Sequence, residues 1–575
     1  MWSYIWIMDM YRKSEKDISV IASTSIKEKN NNIFNLLFFI LLIGPLLGQV
    51  DNRFNVFSWE HYGAVGAVNS ISEDYTYFYF GTENAGILRL NKFSQQFARP
   101  ITQGQGLKSN SIEHIYFDEH TGILWSVGDN FIEYSFSREG SWNTLQYNSL
   151  SLKSGNQIID IGSSKDYLWL RSNSRFFKLD HVNGVLLGIY VSPDEPSIVW
   201  GDISSRELRW NIFDFNDYFV EDAWLLTSNG ASDNRGNFSK YLSYYKSNNG
   251  INWMSLSNGY ILKIDEFNKL ITPIFYGLAC TVPTSVIDDN VLWVSGIGNK
   301  SFNGIAKFDI DDNKFENILS NHYSNFSKDN IYSSIMIDDE IWFGLDSYIL
   351  VYNTKKDSFR SLGFEKGIPR GKIVHLEYEN ESVFAGSING VVEIDKTSKA
   401  KVNSAIEKFV FSRNLFLGDI EKFENEVFFV LSNTVFRYEN EKNSISTLNW
   451  KDGTFDISMK KNQIDIASRS VSRIFSRSDK LYMVTDLGIV DYKEGALIVP
   501  ASLYFNYKIT DLIVVDNSLL FLSTTRGLAI IDIDTRELIN YYDFPFLRNI
   551  YQMKHISEYL VLLTSKGLIK FNFNL

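Results

Sequence analysis

The side chains that could hold a metal ion or transfer a proton are scattered in this sequence. None of its seven His residues forms an HxxxH or HxH pair, and the closest approach is His114 and His120, six residues apart at the expected end of a strand. Metal sites generally bring together convergent His, Cys or carboxylate ligands. The spacing therefore predicts no metal site. The His residues are His61, His114, His120, His181, His322, His375 and His555.

Paired carboxylates recur at one place in the sequence pattern. Asp288-Asp289 precedes the strand that contains Trp293, and Asp338-Asp339 precedes the strand that contains Trp342. A catalytic pair has no need to repeat, so the recurrence indicates turns between strands. The run Asp309–Asn313 could suggest a calcium loop, but it lacks the Gly and the distal Glu of an EF-hand. We interpret these carboxylates as turn formers.

Nucleophile and cofactor motifs are absent from the sequence. Cys280 is the single cysteine and has no His nearby, so we interpret it as a small buried apolar residue. There is no Gly-x-Ser-x-Gly elbow, phosphate loop or dinucleotide fingerprint. We therefore predict a non-enzymatic protein with no catalytic residues, no cofactor and no metal, and we name no binding residue.

A short phrase recurs about every 44 residues: an apolar segment with an aromatic residue, a turn that ends in Gly, and a second apolar segment. From Tyr79 to Val561, eleven steps span 482 residues if one degenerate copy, marked by Trp210 or Trp224, lies between Trp169 and Trp253. The aromatic position is held by Tyr79, Trp125, Trp169, Trp253, Trp293, Trp342, Phe384, Phe428, Tyr482 and Phe521, with Val561 in the same place.

This period predicts an all-β protein made of two β-propellers, with about twelve four-stranded blades of roughly 44 residues. A helical repeat would show an apolar period of 3.6 residues, and none appears. Because propellers typically close with four to eight blades, two rings fit better than one. We predict about seven blades in 49–365 and about five or six in 366–575. In the alternative, Phe54–Tyr62 completes the C-terminal blade, one propeller is discontinuous, and this boundary changes.

The N-terminus resembles an export signal behind an unusually long leader. Lys27 and Lys29 precede the apolar run Ile33–Leu47, which is too short for a comfortable membrane span. We therefore predict that 1–48 is a leader and signal peptide. The mature chain is expected to have no stable membrane span and to be exported to the periplasm, the outer-membrane surface or the extracellular space. A net charge of -12 argues against nucleic-acid binding.

Gly106–Ile112, Asp118 and Gly122–Trp125 together resemble the repeat of two-component regulator propellers. The opening, Trp59–Tyr62 followed by Val68–Gly86, is similar to the start of the PorZ-type propeller proteins of the type IX secretion system. Both resemblances imply propeller folds. The sensors usually continue into an immunoglobulin-like module, a membrane helix and a kinase, and the secretion components usually carry a terminal β-sandwich. This chain shows none of these segments, so neither role is carried over whole.

We predict an exported, non-enzymatic β-propeller binding or scaffold protein of the bacterial cell envelope, for which an association with secretion is one possibility. Its partner would be an envelope protein or a glycan. The irregular stretch His181–Tyr260 carries aromatic and amide side chains that suit carbohydrate or peptide recognition, although a diverged blade explains it more simply. One alternative is a glycan-sensing ectodomain that acts with a separate membrane kinase. Another is a propeller lyase or hydrolase, which requires His, Tyr and carboxylates to converge at one face.

Overall fold

The repeated phrase folds into antiparallel strands joined by tight turns, and the sheets confirm the predicted all-β class. In the computed structural model, the described residues are 55–573 without 153–156, 205–216, 235, 279, 299–303, 320–328, 369, 388–389, 414, 448–469, 478 and 517. Their strands belong to one compact unit, Val56–Leu575. The predicted leader and signal peptide, 1–48, lies outside the described residues.

The described residues form eleven sheets, most of them four-stranded and antiparallel. The predicted total of about twelve blades stays a prediction. The strands before the irregular stretch are β1 (Trp59–Tyr62), β2–β5 (Val68–Glu73, Tyr77–Thr82, Ile87–Asn91, Phe97–Ile101), β6–β9 (His114–Asp118, Ile123–Val127, Phe131–Ser135, Asn143–Gln146) and β10–β13 (Ile158–Ser163, Tyr167–Ser172, Phe176–Asp180, Leu186–Tyr190).

The irregular stretch adds short strands to the sheets on either side of it, and the described part of it holds no separate four-stranded sheet. Trp224 is buried outside any strand, and Trp210 lies outside the described residues. The strands are β14–β18 (Val199–Trp200, Ile203–Ser204, Phe219–Val220, Leu225–Leu226, Gly230–Ser232) and β19–β22 (Phe238–Tyr245, Ile251–Leu256, Ile261–Asp265, Leu270–Ile274).

Seven further sheets follow. Their strands are β23–β26 (Cys280–Asp288, Val291–Gly298, Gly304–Asp309, Lys314–Leu319), β27–β30 (Ser333–Ile337, Glu340–Gly344, Ile349–Asn353, Ser358–Leu362), β31–β34 (Ile373–Glu379, Ser382–Ser387, Gly390–Asp395, Lys401–Val402), β35–β38 (Leu417–Phe423, Glu426–Leu431, Thr434–Glu439, Ser444–Thr447), β39–β42 (Val471–Arg477, Lys480–Thr485, Gly488–Asp491, Leu497–Pro500), β43–β46 (Ile509–Val515, Leu519–Thr524, Leu528–Asp532, Glu537–Tyr542) and β47–β49 (Ile550–Ile556, Tyr559–Thr564, Gly567–Asn572). An α-helix, α1 (Ala405–Arg413), lies between β34 and β35.

The recurring Gly belongs to a turn that a Thr side chain closes. Thr564 Oγ1 accepts from the Lys566 N–H and donates to the Gly567 carbonyl, both at 3.0 Å. Thr485 and Thr524 make the same pair of contacts in β40 and β44. The short side chain therefore satisfies backbone groups that the sheet ladder leaves free at the turn.

The sheets pack face to face through the aromatic positions of the repeat. These residues lie in the second strand of their sheets, and Trp125, Trp169, Trp253 and Trp342 are completely buried. Burial of such large apolar surfaces is the main favourable term in sheet packing. The aromatic period read from the sequence is thus the period of the sheet interfaces.

The inner strands β23, β27, β31, β35, β39, β43 and β47 contact one another in that order, and β47 also contacts β23. The seven sheets therefore form a closed ring. Its last sheet is completed by β1, which pairs antiparallel with β49. The Trp59 and Phe571 rings stack there at 3.9 Å.

The pairing of β1 with β49 corresponds to the alternative in which the N-terminal strand completes the C-terminal blade. The boundary predicted after residue 365 falls between β30 and β31, although the inner strands β27 and β31 are in contact. These contacts favour a boundary between β22 and β23. A local repeat cannot specify this boundary, because all the blades share one pattern and ring closure joins residues about 500 positions apart.

Candidate functional site

A cavity of about 610 Å³ lies where the seven inner strands converge. Side chains from β23, β27, β31, β35, β39, β43 and β47 all contribute to its lining. All of the charged residues among them come from β31, β35, β39, β43 and β47. The ring of sheets thus holds a polar cavity at its centre, within a rigid frame.

A repeated bulge positions the polar side chains of this cavity. The register of the inner strand shifts immediately before each of five polar residues. A bulge adds one residue to one strand and redirects the side chain that follows. Residues two positions further along the strand point to the same face. The five polar residues that directly follow the register shifts are His375, Asp419, Arg473, Asp511 and Gln552.

Three of these polar side chains tie neighbouring inner strands together. Asp419 Oδ2 accepts from the Ile474 N–H at 3.1 Å, and Asp511 Oδ2 accepts from the Met553 N–H at 2.7 Å. Gln552 Oε1 accepts from the N–H of Ser285, which closes the ring at 2.9 Å. Because inner strands of different sheets share no ladder, these contacts supply partners that the backbone would otherwise lack. Their role is structural.

Both arginines of the cavity are held by carboxylates and carbonyls. Arg473 Nε donates to Asp419 Oδ2 at 3.3 Å, and Arg477 Nη1 donates to Glu421 Oε1 at 2.9 Å. Arg477 Nη2 also reaches Asp511 Oδ1 at 3.3 Å. Burial opposes both positive charges, but the neighbouring carboxylates outweigh it and raise the pKa of each guanidinium. These groups form a paired network.

Glu377 and Lys554 line the same cavity without an ion pair among the described residues. Within the described part of the chain, Glu377 Oε1 accepts from the Tyr378 N–H alone, at 3.2 Å, and Lys554 Nζ has no hydrogen-bond partner. Burial and the charge of Glu421 raise the pKa of the Glu377 carboxyl. Burial also lowers the pKa of Lys554. An ionisable group without an ion pair in such a site is costly to charge, so its presence there marks a candidate for function.

His375 stands beside this network. Its Nδ1 lies 3.5 Å from Asp419 Oδ1, and burial lowers the pKa of the imidazole in spite of that carboxylate. The ring is therefore neutral at neutral pH. His375, Glu377, Glu421 and Tyr551 all line the cavity, so a His, a Tyr and carboxylates converge there, as the lyase or hydrolase alternative requires.

The candidate residues considered in the sequence analysis lie outside this cavity. His114 Nε2 is bonded to the Ile158 carbonyl oxygen at 3.1 Å, while His120 is exposed. Cys280 is buried, and burial raises the pKa of its thiol to about 12. Asp309 Oδ1 accepts from the N–H groups of Asp311 and Asp312, as in a turn. Over the part of the chain that is described, no group of three or more His, Cys, Asp or Glu could hold a metal ion.

Several aromatic residues of the irregular stretch are buried in the packing of the sheets. Trp224, Tyr241 and Tyr244 are buried in one apolar cluster with Leu256 and Leu262. Buried rings are not available to stack on a sugar. The diverged-blade interpretation therefore explains these three residues.

The sequence analysis named no binding residue, although the spacing of polar residues in the sequence carries a signal of the cavity. His375, Asp419, Arg473 and Gln552 each stand nine residues before the aromatic position of their repeat, and Asp511 stands ten before it. In β31, β35 and β47 a second polar residue follows two positions later and points to the same face. Alignment of the inner strands by the aromatic marker would have brought them together.

No known protein family and no curated protein matches the sequence. Solved structures similar to this chain include the extracellular domain of the putative hybrid two-component system BT4673 from B. thetaiotaomicron, with 13% identity over 88% of this chain and 70% of that chain and a TM-score of 0.39. PorZ, a surface component of the type IX secretion system of Porphyromonas gingivalis, matches with 10% identity over 90% and 87% and a TM-score of 0.38. YCF48 bound to D1 peptide matches with 12% identity over 52% and 94% and a TM-score of 0.39.

At these identities and TM-scores, the matches carry no inference about activity or partner. The fold follows from the sheets themselves. Among the described residues, no helix is long and apolar enough to cross a membrane.

Proposed function

We propose that this chain is an exported, non-enzymatic propeller protein of the bacterial cell envelope that binds a polar partner at its inner-strand cavity. The observation that carries the proposal is the pair Glu377 and Lys554, which stay unpaired in a cavity whose other charged side chains are paired. Binding sites commonly place a few polar groups on a rigid frame. The partner would be an envelope protein or an envelope glycan, and the protein would act as a scaffold or recognition component.

Cross-linking in intact source cells tests this proposal. Tyr551 lines the cavity and is 39% exposed, so a photoreactive residue placed there should capture whatever enters. We expect an envelope component to be captured at Tyr551 and lost in the double variant Glu377→Gln and Lys554→Gln. The matched control is Glu441→Gln with Lys508→Gln, because both side chains are exposed and lie outside the cavity lining. Capture that the cavity variant leaves unchanged would overturn the proposal.

A propeller lyase or hydrolase is the second candidate, and the convergence of His375, Glu377 and Glu421 favours it. Burial raises the pKa of both carboxyls, which suits a general acid at neutral pH. A neutral His375 could act as the base. The test is release of new reducing ends or unsaturated sugars from envelope polysaccharides. Turnover by the wild-type protein that is abolished in Glu377→Gln would establish this candidate in place of the binding role.

A further inference from the structure

The charged residues of the cavity divide into paired and unpaired members. His375, Asp419, Glu421, Arg473, Arg477 and Asp511 each lie within 4.0 Å of an oppositely charged or ionisable partner. Glu377 and Lys554 have no such contact among the described residues. One carboxyl and one amine are therefore left over in a lining whose remaining charges largely neutralise each other.

These two groups come from strands that are not neighbours. Glu377 belongs to β31 and Lys554 to β47. In the ring, β35, β39 and β43 separate the two strands on one side, and β23 and β27 separate them on the other. The carboxyl and the amine therefore come from different parts of the cavity wall, near enough for the charge of Glu377 to act on the pKa of Lys554, and each could meet a different end of one ligand.

Charge complementarity selects the class of ligand. A neutral glycan would leave both groups unpaired, a polyanion would meet four carboxylates, and a polycation would meet Lys554 and two arginines. The ammonium of a zwitterion would lower the pKa of Glu377 and its carboxylate would raise the pKa of Lys554, so such a ligand would ionise both groups as it pairs with them. Its size is also limited, because the cavity volume falls within the range of small-molecule sites.

We propose that the inner-strand cavity binds a zwitterionic ligand of the amino-acid or short-peptide class, with its ammonium at Glu377 and its carboxylate at Lys554. The inference rests on the proposed function, since it takes the cavity as the binding site. Charge-assisted contacts to both termini would offset the cost of holding these groups in the cavity. Such a peptide would be a fragment of an envelope protein, which is one of the two partner classes proposed above.

Equilibrium dialysis against a mixed tripeptide library tests the inference. Three forms of the library are compared: free termini, N-acetylated and C-amidated. We expect free tripeptides to be retained at least about tenfold more than either capped form, which corresponds to about 1.4 kcal/mol. Equal retention of the three forms, or retention of none, would overturn the inference.

Two single variants test which residue binds the amino terminus of the ligand and which binds its carboxylate. Glu377→Gln should remove the preference for a free amino terminus but keep that for a free carboxylate, and Lys554→Gln should do the reverse. A loss of both preferences in each variant would contradict the assignment. Thermal unfolding of each variant beside Glu441→Gln and Lys508→Gln checks that the protein remains folded.

The two proposals can fail separately. If cells yield a partner that depends on Glu377 and Lys554 while no tripeptide is retained, the zwitterionic ligand is wrong and the cavity remains the binding site. If free tripeptides are retained but the variants bind them equally well, the cavity is not the site, and both proposals fail.

Discussion

Carboxylates on the inner strands of this ring do different work. Asp419 and Asp511 each accept an N–H from the next inner strand, while Glu377 has no contact beyond its own strand. The difference comes from the neighbouring sheet, which offers a free N–H in one place and open cavity in the other. Residue type alone therefore cannot separate a structural carboxylate from a binding one.

Replacement of Asp511 tests the structural role. Asp511→Ala removes the acceptor of the Met553 N–H and one partner of Arg477. Because the N–H is left without a partner between sheets, we expect a loss of about 2–3 kcal/mol in the free energy of unfolding. The control is Asp534→Ala, an exposed residue of the turn between β45 and β46. Chemical denaturation measures both, and equal stability of the two variants would contradict the account.

Asp202, which contacts β2 and β19, gives the protein a pH-dependent contribution to its stability. Its carboxylate accepts from the Ile71 N–H at 2.9 Å, from Ser70 Oγ at 3.1 Å and from Ser243 Oγ. Burial raises its pKa from 3.8 to about 6, because no cation compensates the charge. Between these two pH values the unfolded chain loses the proton and the folded chain keeps it. The contribution of Asp202 to stability is therefore greatest below about pH 4 and falls until about pH 6.

The expected contribution of Asp202 is about 3 kcal/mol across that interval. Asp202→Asn has no proton to lose, so its stability relative to the wild-type protein should improve as the pH rises from 4 to 7. Thermal unfolding at a series of pH values measures this difference. A stability difference that does not change with pH would show that the carboxyl titrates normally in the folded protein.

At the scale of the element, the Thr and Gly turn is repeated but its surroundings are not. Gly567 has φ +126°, and a Cβ there would lie 2.3 Å from the Tyr62 carbonyl oxygen of β1. Gly390 holds the same place in its sheet with φ +154° and has nothing within 4 Å of a Cβ. A comparison of substitutions at the two positions therefore separates the cost of backbone strain from the cost of a steric clash.

We expect Gly567→Ala to destabilise the protein by about 2 kcal/mol more than Gly390→Ala. Both substitutions cost backbone strain, and only the first also pushes β1 away from β49. Thermal unfolding of the two variants, side by side, measures the difference. If they unfold at the same temperature, β1 does not press on this turn.

Strand β1 should be essential to the stability of the ring. Trp59 is fully buried and stacks on Phe571, so Trp59→Ala should cost about 3–5 kcal/mol. Phe93→Ala is the control, because its ring is 80% exposed. Chemical denaturation measures both variants. Similar midpoints for the two would contradict closure of the ring by the N-terminal strand.

Much of the element scale could be predicted from the sequence. The aromatic positions, the Gly turns and the carboxylates in turns, such as Asp309, all follow from local physical chemistry. The pairing of β1 with β49 could only be left as an alternative, because nothing local marks which blade a lone strand completes. The cavity was missed since its charged residues come from five repeats and look unremarkable in each one. The ion pair that Asp419 makes, and that Glu377 lacks, exists only in the folded ring.

At the scale of the whole molecule, a closed ring of packed sheets makes the cavity a preformed site. Little ordering should be needed on binding, so affinity would depend on how well a ligand completes the charges already there. The net charge of -12 is distributed over the chain, whereas the cavity itself combines both signs. Specificity would come from this local pattern and not from the overall charge.

The most direct test of the account is a structure of the protein recovered from its source cells together with its partner, determined by electron cryomicroscopy. The account predicts partner atoms within hydrogen-bonding distance of the Glu377 carboxyl and the Lys554 amine. A partner seated on the outer strands, with only solvent beside these two side chains, would contradict it.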